Sequence, residues 1–267
     1  MSAYNIVSVA GSDPSGGAGI QADLKSFSAH GTFGMSVITA LTAQSTRGVT
    51  GVHGIPPEFI THQLDTLLTD ASVHAVKIGM LATAEVTEAV AEAIDRYELP
   101  NVVVDPVMVA KSGDRLLAQS ATEALRTVLM PRADLITPNL PEAADLLDEK
   151  EAISLSEMRD QATRLLELGA RRVLLKGGHL DGEQSTDVLV SRDSAPEEFT
   201  ATRVRTHNTH GTGCTLASSI AALLPQRSNT AEAVRDAKAY LTEALRRAAD
   251  IDAGGGQGPV HHFHAWW

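Results

Sequence analysis

The sequence has a single cysteine, Cys214, among its 267 residues. One cysteine excludes an intrachain disulfide framework, so we expect a reducing compartment. No apolar run approaches the roughly 20 residues that a membrane-spanning helix needs. The short apolar run at the N-terminus also has no basic segment before it. These absences predict a protein of the cytoplasm that does not enter a membrane.

Basic residues are in the minority. Lys and Arg total 22 against 33 Asp and Glu, which gives a formal net charge of −11. A general nucleic-acid-binding protein needs a basic face to neutralise phosphates, so this class is disfavoured. The acidic residues are scattered rather than clustered, which favours solubility as their role. An anionic ligand would have to be held locally, by backbone amides, a few lysines or a metal.

Two nucleotide-binding signatures are missing or incomplete. No G-x-x-x-x-G-K-[ST] occurs, which excludes a Walker-type phosphate loop. Gly17, Gly19 and Ala22 do match the dinucleotide pattern G-x-G-x-x-G/A. However, no acid lies between Asp23 and Glu58 to hold a ribose, so a Rossmann dehydrogenase is disfavoured. The glycine turn either needs a positive φ or brings backbone close to a small ligand, and both interpretations stay open.

Short β-branched runs alternate with helical patterns along almost the whole chain, and 43% of the residues are hydrophobic. Contiguous apolar residues predict parallel strands that are covered on both faces. The predicted strands are 4–10, 74–79, 101–107, 133–139 and 171–178, with an antiparallel pair at 185–193 and 197–205. The predicted helices lie near 17–30, 56–69, 83–97, 118–129, 140–148, 155–169, 213–224 and 229–250. We therefore expect one α/β domain over residues 1–267, with three α/β/α layers around a central, mostly parallel sheet.

The segment THGTGC, residues 209–214, offers a way to hold phosphate without a P-loop. Gly211 and Gly213 let consecutive amides face one concavity, and the helix that follows adds the positive end of its dipole. This arrangement suits the charge on a transferring phosphoryl group. The same dipole is expected to lower the pKa of Cys214 and make it a plausible base. The alternative is a cysteine that only packs beneath the start of a helix.

Charged side chains lie at the ends of other predicted strands, at the sheet edge where open α/β folds bind ligands. Lys176 and Asp105 each follow a buried run, in LLKGGH and VVVDPVM. Asn139 and Glu142 lie three residues apart where a helix begins, so both can face one pocket, and the carboxylate can hold Mg²⁺ directly or through water. Alone, N-x-x-E is also a common capping pattern. Four such features together favour a phosphate site over coincidence.

In order along the chain, these motifs resemble those of the ribokinase-like superfamily. More closely, they are similar to those of the bacterial hydroxymethylpyrimidine and phosphomethylpyrimidine kinases of thiamine biosynthesis. The resemblance covers essentially the whole chain, through the segments AGSDPSGGAGIQADLK, ITALTAQST, KIGML, VVDPVMVAKSG, TPNLPEA, KGGH, NTHGTGCTLASSIAALL and GPVHHFHAWW. It implies a ribokinase-like fold, a small β flap from strands near 33–42 and 45–54, and a homodimer. It also implies that the histidine-rich tail is a structural cap and not a metal site.

The resemblance implies a two-step reaction. ATP·Mg²⁺ would donate its γ-phosphoryl group to 4-amino-5-hydroxymethyl-2-methylpyrimidine and then to the resulting monophosphate. Cys214 stands where most sugar kinases of the superfamily carry the aspartate of G-A-G-D, as a base or only to position the substrate. A pyridoxal kinase is an alternative within the same fold. A non-catalytic sensor of a nucleotide or vitamer is an alternative of another class.

The resemblance also assigns site residues. Gln44 is expected at the pyrimidine edge, where its amide can both donate and accept a hydrogen bond. The ring pocket would be lined by Gly11, Ala18, Met80 and Val107. Asp23 and Lys176 would lie near the transferring phosphates, and Glu142 and Asp105 near magnesium. The catalytic set would be Cys214, Lys176, Gly211 and Gly213, and the nucleotide would meet Lys176, Thr209, His210 and Thr212.

Overall fold

The computed structural model describes residues 3–108 and 119–267. The part of the motif VVDPVMVAKSG beyond residue 108, and the predicted start of a helix at 118, lie outside the described residues. The elements run, in chain order, β1 (Asn5–Ala10), α1 (Gly19–Ala29), β2 (Phe33–Ile38), β3 (Ala40–Ser45), β4 (Gly48–Gly54), α2 (Pro57–Leu68), β5 (Ala75–Ile78), α3 (Ala84–Arg96), β6 (Val102–Val104), α4 (Gln119–Ala124, continued by a π-helical turn, Leu125–Leu129), β7 (Leu135–Ile136), α5 (Leu140–Leu147), α6 (Leu155–Leu165), β8 (Arg172–Leu175), β9 (Gln184–Ser191), β10 (Glu197–Thr202), α7 (Thr212–Leu223) and α8 (Thr230–Arg246).

One eight-stranded sheet has the order β10-β9-β8-β7-β6-β5-β1-β2. Strand β1 pairs in parallel with β2 and β5, and parallel pairing continues through β6, β7 and β8. Strands β9 and β10 add an antiparallel edge. The predictions of a mostly parallel sheet and of an antiparallel pair near residues 185–205 are confirmed. Among the described helices, none is long and apolar enough to span a bilayer.

Apolar side chains on the two faces of the sheet form two separate cores. Val7 and Val9 of β1 belong to the cluster that α2, α3, α5 and α6 cover, with Ile60 as one contributor. Ile6, which directly precedes Val7, belongs instead to the cluster of α1, α7 and α8, which includes Phe27. Successive side chains of a strand point to opposite faces, so a contiguous apolar run fills both cores. The three-layer α/β/α arrangement follows from this.

The flap differs from the expectation. The predicted strand 33–42 is two strands: β2 pairs with β1 in the main sheet, and only β3 pairs with β4 in the flap. No glycine or proline lies between Met35 and Gln44 to mark the break. The turn is made instead by backbone bonds, since Thr39 N donates to Ala10 O and Ser12 N donates to Ala40 O. The flap therefore begins where β1 ends.

The parallel strands end earlier than predicted. Strand β6 stops at Val104, β7 at Ile136 and β8 at Leu175, short of the predicted ends 107, 139 and 178. The next residues, Asp105 and Lys176, lie just past the ladder at the carboxyl edge of the sheet. The side chains of these two residues therefore lie outside the strands, where a ligand can reach them. This edge holds the site described below.

A fully buried ion pair joins α1 to the central sheet. Lys77 Nζ lies 2.9 Å from both carboxylate oxygens of Asp23, and neither side chain is exposed. The hydroxyls of Ser8 and Ser218 each donate to Asp23 at 2.6 Å. Burial lowers the pKa of Lys77, but the facing carboxylate outweighs this and raises it above its usual range. Lys77 is therefore charged, and each member of the pair depends on the other.

Lys77→Met should destabilise the protein by about 3–5 kcal/mol, because it leaves the Asp23 carboxylate buried without its cation. Urea unfolding followed by circular dichroism measures the change. Arg246→Met, which removes a solvent-exposed pair with Glu243, is the control and should cost at most about 0.5 kcal/mol. A loss below about 1 kcal/mol for Lys77→Met would contradict the structural role of the pair.

Candidate active site

Two adjoining cavities lie at the carboxyl edge of the sheet. The smaller has a volume of about 170 Å³ and the larger about 650 Å³. Asn139, Glu142 and Lys176 line both cavities and form a common wall. A group passed between two ligands, one in each cavity, would have to cross beside these side chains.

The THGTGC turn lies between the two cavities. Thr209 and Thr212 line the larger one, whereas Gly211, Gly213 and Cys214 line the smaller. Helix α7 begins at Thr212, with Gly211 as its N-cap at φ +76°. The amides at this helix start are therefore available to an anion held between the cavities.

The glycine turn after β1 packs directly against the THGTGC turn. A Cβ added at Gly211 would lie 1.7 Å from Gly17 O, and one added at Gly17 would lie 2.3 Å from His210 Cδ2. Gly19 has φ +56°, and its Cβ would lie 2.4 Å from Gly11 O. The interpretation that the glycine turn needs a positive φ is therefore confirmed. The close contacts here are with the protein's own backbone and with His210, and the approach of the turn to a small ligand stays a prediction.

Lys176 joins the two carboxylates at the common wall. Its Nζ donates to Asp105 Oδ1 at 2.9 Å and lies 3.8 Å from Glu142 Oε2. Burial lowers the pKa of Lys176, but the two carboxylates outweigh it and raise the pKa above its usual range. Lys176 therefore keeps its charge. Burial raises the pKa of Glu142, against the opposing effect of Lys176.

Glu142 and Asn139 also form the capping box that the sequence allowed. Asn139 N donates to Glu142 Oε2 at 2.7 Å, and Glu142 N donates to Asn139 Oδ1 at 2.8 Å. The cap does not exclude a role in the site, because Glu142 still lines both cavities. It fixes the carboxylate at the start of α5.

The oxygen donors of the common wall fit a magnesium ion that takes its other ligands from phosphates and water. Mg²⁺ in nucleotide sites is held by one or two carboxylates and the substrate phosphates. Glu142, in the common wall, and Asp105, in the smaller cavity beside it, both lie near the Lys176 ammonium. Within residues 3–108 and 119–267, no group of three metal-binding side chains forms a closed metal cage. The carboxylate donors suit Mg²⁺ better than a metal that prefers nitrogen or sulfur ligands.

The prediction that Cys214 has a lowered pKa is wrong. Burial raises the pKa of its thiol to about 11, and the neighbouring Lys77 lowers it only in part. The helix start acts on a partly buried side chain that has Asp23 and Asp105 nearby. At neutral pH Cys214 is therefore a neutral thiol that lines the smaller cavity.

Asp23 does not lie with the expected phosphate-binding groups. It is fully buried beneath the smaller cavity as the counter-ion of Lys77, and it lines neither cavity. Lys77 does line the smaller cavity and was missed in the sequence. The only signal was a lysine inside the apolar run AVKIG, a residue type that is rarely buried without a partner.

The residues expected around a ring do line the smaller cavity. They are Gly11, Ala18, Gln44, Met80 and Val107. The Gln44 side chain extends from the flap, and its Oε1 accepts a hydrogen bond from Thr42 Oγ1 at 3.2 Å. A β-bulge between Ala43 and Gln44 changes the register of the flap at this residue. Among the described residues, none accepts a hydrogen bond from the amide nitrogen of Gln44, which is free to meet a ligand.

His210 lies in the smaller cavity and not, as expected, in the larger one with Thr209 and Thr212. Its Nε2 is 2.7 Å from Asp13 Oδ2. Asp13, which lines the same cavity, was also missed. Burial raises the pKa of Asp13, but hydrogen bonds from His210, Ser15 and Ala18 outweigh it and lower the pKa to about 2. An aspartate before P-S-G-G is typical of a turn, so nothing in the sequence indicated that Asp13 also contacts His210.

The larger cavity combines an apolar side with a buried ion pair. Leu216, Leu241 and Leu245 line it. Lys238 Nζ, also in its wall, lies 2.7 Å from Asp187 Oδ2. Asp187 Oδ1 accepts the amide of Gly177 at 3.0 Å, which holds the turn directly after Lys176.

Comparisons with known proteins agree with this geometry. A family model described as phosphomethylpyrimidine kinase matches residues 13–261. The hydroxymethylpyrimidine/phosphomethylpyrimidine kinase of Escherichia coli K12 is 55% identical over 267 residues, which is 100% of both chains. The solved phosphomethylpyrimidine kinase of Clostridium difficile 630 is 42% identical, with a TM-score of 0.80 over 91% of this chain and 99% of that one.

A solved pyridoxal kinase is also similar. The enzyme of Staphylococcus aureus, in complex with AMP-PCP and pyridoxal, is 32% identical, with a TM-score of 0.90 over 100% of this chain and 96% of that one. The family match covers most of the chain, and the identity to the Escherichia coli relative extends from end to end. The protein belongs to the phosphomethylpyrimidine kinase family.

Proposed function

We propose that the protein transfers the γ-phosphoryl group of ATP first to 4-amino-5-hydroxymethyl-2-methylpyrimidine and then to the resulting monophosphate, for thiamine biosynthesis. The observation that carries this proposal is the pair of adjoining cavities with one common wall of Asn139, Glu142 and Lys176. The Escherichia coli relative is named for both kinase activities.

The smaller cavity takes the pyrimidine. Its volume of about 170 Å³ suits a single substituted ring. Met80 and Val107 supply apolar contact, and the Gln44 amide can pair with a ring nitrogen and the exocyclic amine. The hydroxymethyl group is then directed to the end of the cavity where Cys214 and Gly213 lie.

The larger cavity takes ATP. Its leucines offer an apolar surface to the adenine, and Thr209 and Thr212 line the part beside the start of α7. The phosphates then approach the common wall, where Lys176 is a permanent cation. Solved complexes of the similar pyridoxal kinase with AMP-PCP support a nucleotide site in this fold.

Lys176 and the amides of the THGTGC turn stabilise the charge that spreads over the transferring phosphoryl group. Fixed donors in a site without water need no reorganisation during transfer. Glu142 and Asp105 would hold magnesium, which when bound neutralises phosphate charge and helps to align the donor. Lys176, held at 2.9 Å by Asp105, keeps its position while the donor and acceptor change.

Cys214 positions the acceptor and does not act as a strong base. A thiol with a pKa of about 11 is protonated near neutral pH. Phosphoryl transfer has a loose transition state, so the acceptor hydroxyl can keep its proton until late in the reaction. The Cys214 side chain then fixes the hydroxymethyl oxygen beside the helix start.

We also propose that residues 1–267 act as one kinase domain, in the cytoplasm and as a homodimer. Phe33, Leu41 and Val52 are large apolar side chains exposed on β2 and the flap. An apolar surface at a sheet edge supports association with a second copy. Light scattering would give twice the chain mass of 28.2 kDa for the dimer and one chain mass for a monomer.

Pyridoxal is a second candidate acceptor. The observation in its favour is the similarity to a pyridoxal kinase solved with pyridoxal, over the whole of this chain. Both acceptors are six-membered rings that carry a hydroxymethyl group, so the same transfer step serves either one. The choice between them depends on the contacts of the ring in the smaller cavity.

The test of the function is a coupled ADP-release assay with ATP·Mg²⁺ and three acceptors: the hydroxymethylpyrimidine, its monophosphate and pyridoxal. We expect turnover of the first two, with the monophosphate and diphosphate products identified by mass. Turnover of pyridoxal alone would reassign the activity to vitamin B6 salvage. No turnover with any of them would favour a binding role.

Gln44→Ala should raise KM for the hydroxymethylpyrimidine about tenfold, because two hydrogen bonds to the ring edge are lost. ADP affinity should stay unchanged, since Gln44 lines only the smaller cavity. Steady-state kinetics and calorimetry measure the two quantities. Ser45→Ala, its exposed neighbour on the flap, is the matched control. An equal loss of pyrimidine and nucleotide affinity would contradict the assignment of Gln44 to the ring.

Cys214 should react slowly with iodoacetamide in the folded protein. With a pKa of about 11, only about one thiol in a thousand is ionised at pH 8, so alkylation should be about 100-fold slower than in the unfolded chain. The rate should rise about tenfold per pH unit from pH 8 to 10. Intact-mass spectrometry after timed quenching follows the reaction.

Cys214→Ala separates positioning from proton transfer. The variant should fold normally and lose less than about 100-fold in kcat, since a general base contributes about 10²–10⁴. A larger loss of kcat, together with alkylation of wild-type Cys214 as fast as in the unfolded chain, would show that Cys214 acts as a thiolate base.

A further inference from the structure

The Asp13–His210 pair is held from three sides. Asp13 Oδ2 accepts from Gly17 N at 3.1 Å and Ala18 N at 2.8 Å, and it lies 2.7 Å from His210 Nε2. Asp13 Oδ1 accepts from the amide and the hydroxyl of Ser15. The carboxylate is therefore fixed by the glycine turn, and the imidazole is fixed by the carboxylate.

The C-terminal segment fixes the backbone of His210. His210 N donates to Gly258 O at 3.0 Å, and His210 forms a parallel bridge with Pro259. One edge of the ring is blocked, because Gly17 lies against Cδ2. Among the described residues, no hydrogen bond reaches the other ring nitrogen, Nδ1, of this side chain that lines the smaller cavity. The ring is held in place with one nitrogen left for a ligand.

Among the described residues that line the smaller cavity, both lysine ammoniums already face a carboxylate. The Lys77 ammonium is neutralised by Asp23 at 2.9 Å, and that of Lys176 by Asp105 at 2.9 Å. Under the proposed function, this cavity must hold a neutral alcohol in one step and its anionic monophosphate in the next. Lys176 is also shared with the nucleotide in the larger cavity. The monophosphate needs a positive charge that the alcohol does not.

An imidazole can supply such a charge, because it gains a proton near neutral pH. The carboxylate of Asp13, whose pKa is about 2, stays ionised throughout this range and can accept a hydrogen bond from the His210 ring nitrogen Nε2. With Nε2–H donating to Asp13, a proton gained by the ring is placed on Nδ1. That N–H is a charge-assisted donor to a phosphate oxygen.

Resting on the proposed function, we propose that His210, positioned by Asp13, binds the phosphate of the monophosphate acceptor and takes up one proton from solvent when it does so. His210 is then a specificity residue for the second phosphorylation and has little part in the first. No bond is made or broken by this side chain. The proton returns to solvent when the product leaves.

Other titratable groups surround His210 and bear on the pH dependence. Asp13 and Lys25 belong to the glycine turn and α1, and His261 and His262 to the C-terminal segment. The groups that share the smaller cavity are Lys77, Asp105, Glu142, Lys176 and Cys214. Burial lowers the pKa of His262 to about 3, so it stays neutral. The test must therefore compare His210 with its substitution at one pH and not rely on a pH profile alone.

The experiment measures binding of the monophosphate without ATP, by calorimetry at pH 8 in two buffers of different ionisation enthalpy. Wild type should take up a proton on binding. His210→Gln keeps a donor in reach of Asp13 but carries no charge. It should bind the monophosphate about 10- to 100-fold more weakly, with no proton uptake. Its affinity for the alcohol should fall much less. The ratio of the two affinities therefore measures how much His210 contributes to binding the phosphate.

Two controls separate this role from a structural one. His207→Gln, an exposed histidine three residues away, should leave the affinity ratio at its wild-type value. ADP affinity of His210→Gln should match wild type, because His210 does not line the larger cavity. An unchanged affinity ratio, an equal loss for both acceptors, or a loss of ADP binding would each overturn the proposal. Failure of the proposed function differs from these outcomes, since wild type would then turn over neither acceptor.

Discussion

The close contact between two glycine turns is the constraint on which the rest of the site depends. Gly211 approaches Gly17 so closely that a Cβ would lie 1.7 Å from its carbonyl oxygen. This contact brings the start of α7 against the loop after β1, although about 190 residues separate them in the sequence. The smaller cavity is the space left beside that contact. His210 and Cys214 reach the smaller cavity because they lie one residue before and three residues after Gly211.

Burial makes the polar groups of the site depend on partners. Lys77 and Lys176 stay charged because each faces a carboxylate, whereas at Cys214 the effect of burial exceeds the opposing effect of Lys77 and leaves a neutral thiol. A charge taken out of water costs several kcal/mol unless it is paired. The site therefore holds its cations as fixed pairs and its thiol as a neutral group. That distribution, and not the dipole of one helix, decides what each residue can do.

The sheet could be predicted from sequence because buried parallel strands are short, contiguous apolar runs. The pairing of Lys176, in the common wall, with Asp105 was predictable for the same reason: both residues directly follow such runs, and parallel strands place their ends together. The break between β2 and β3 was not predictable, because ordinary residues make that turn through backbone bonds to distant Ala10 and Ser12. Local pattern carries no information on a partner that lies 30 residues away.

Side-chain partners were the second limit. The motif that contains Asp23 matched the family, yet its carboxylate points to a lysine 54 residues later. Asp13 and His210 are 197 residues apart, and each has an ordinary local explanation, as a turn residue and as part of a glycine-rich loop. The pKa of Cys214 was mispredicted because a helix start is visible in a sequence and the depth of burial is not.

A neutral thiol at position 214 suits an enzyme that must phosphorylate two acceptors in one cavity. The sugar kinases that the chain resembles carry an aspartate there, which suits an uncharged hydroxyl as the only acceptor. In this cavity an aspartate would add a negative charge near Asp23 and Asp105, where the phosphate of the second acceptor has to enter. Like charges that lie close together in a buried site repel strongly. Cysteine supplies a polar side chain of similar shape without that charge. The anionic monophosphate therefore enters the cavity at a lower cost in free energy than it would beside a carboxylate.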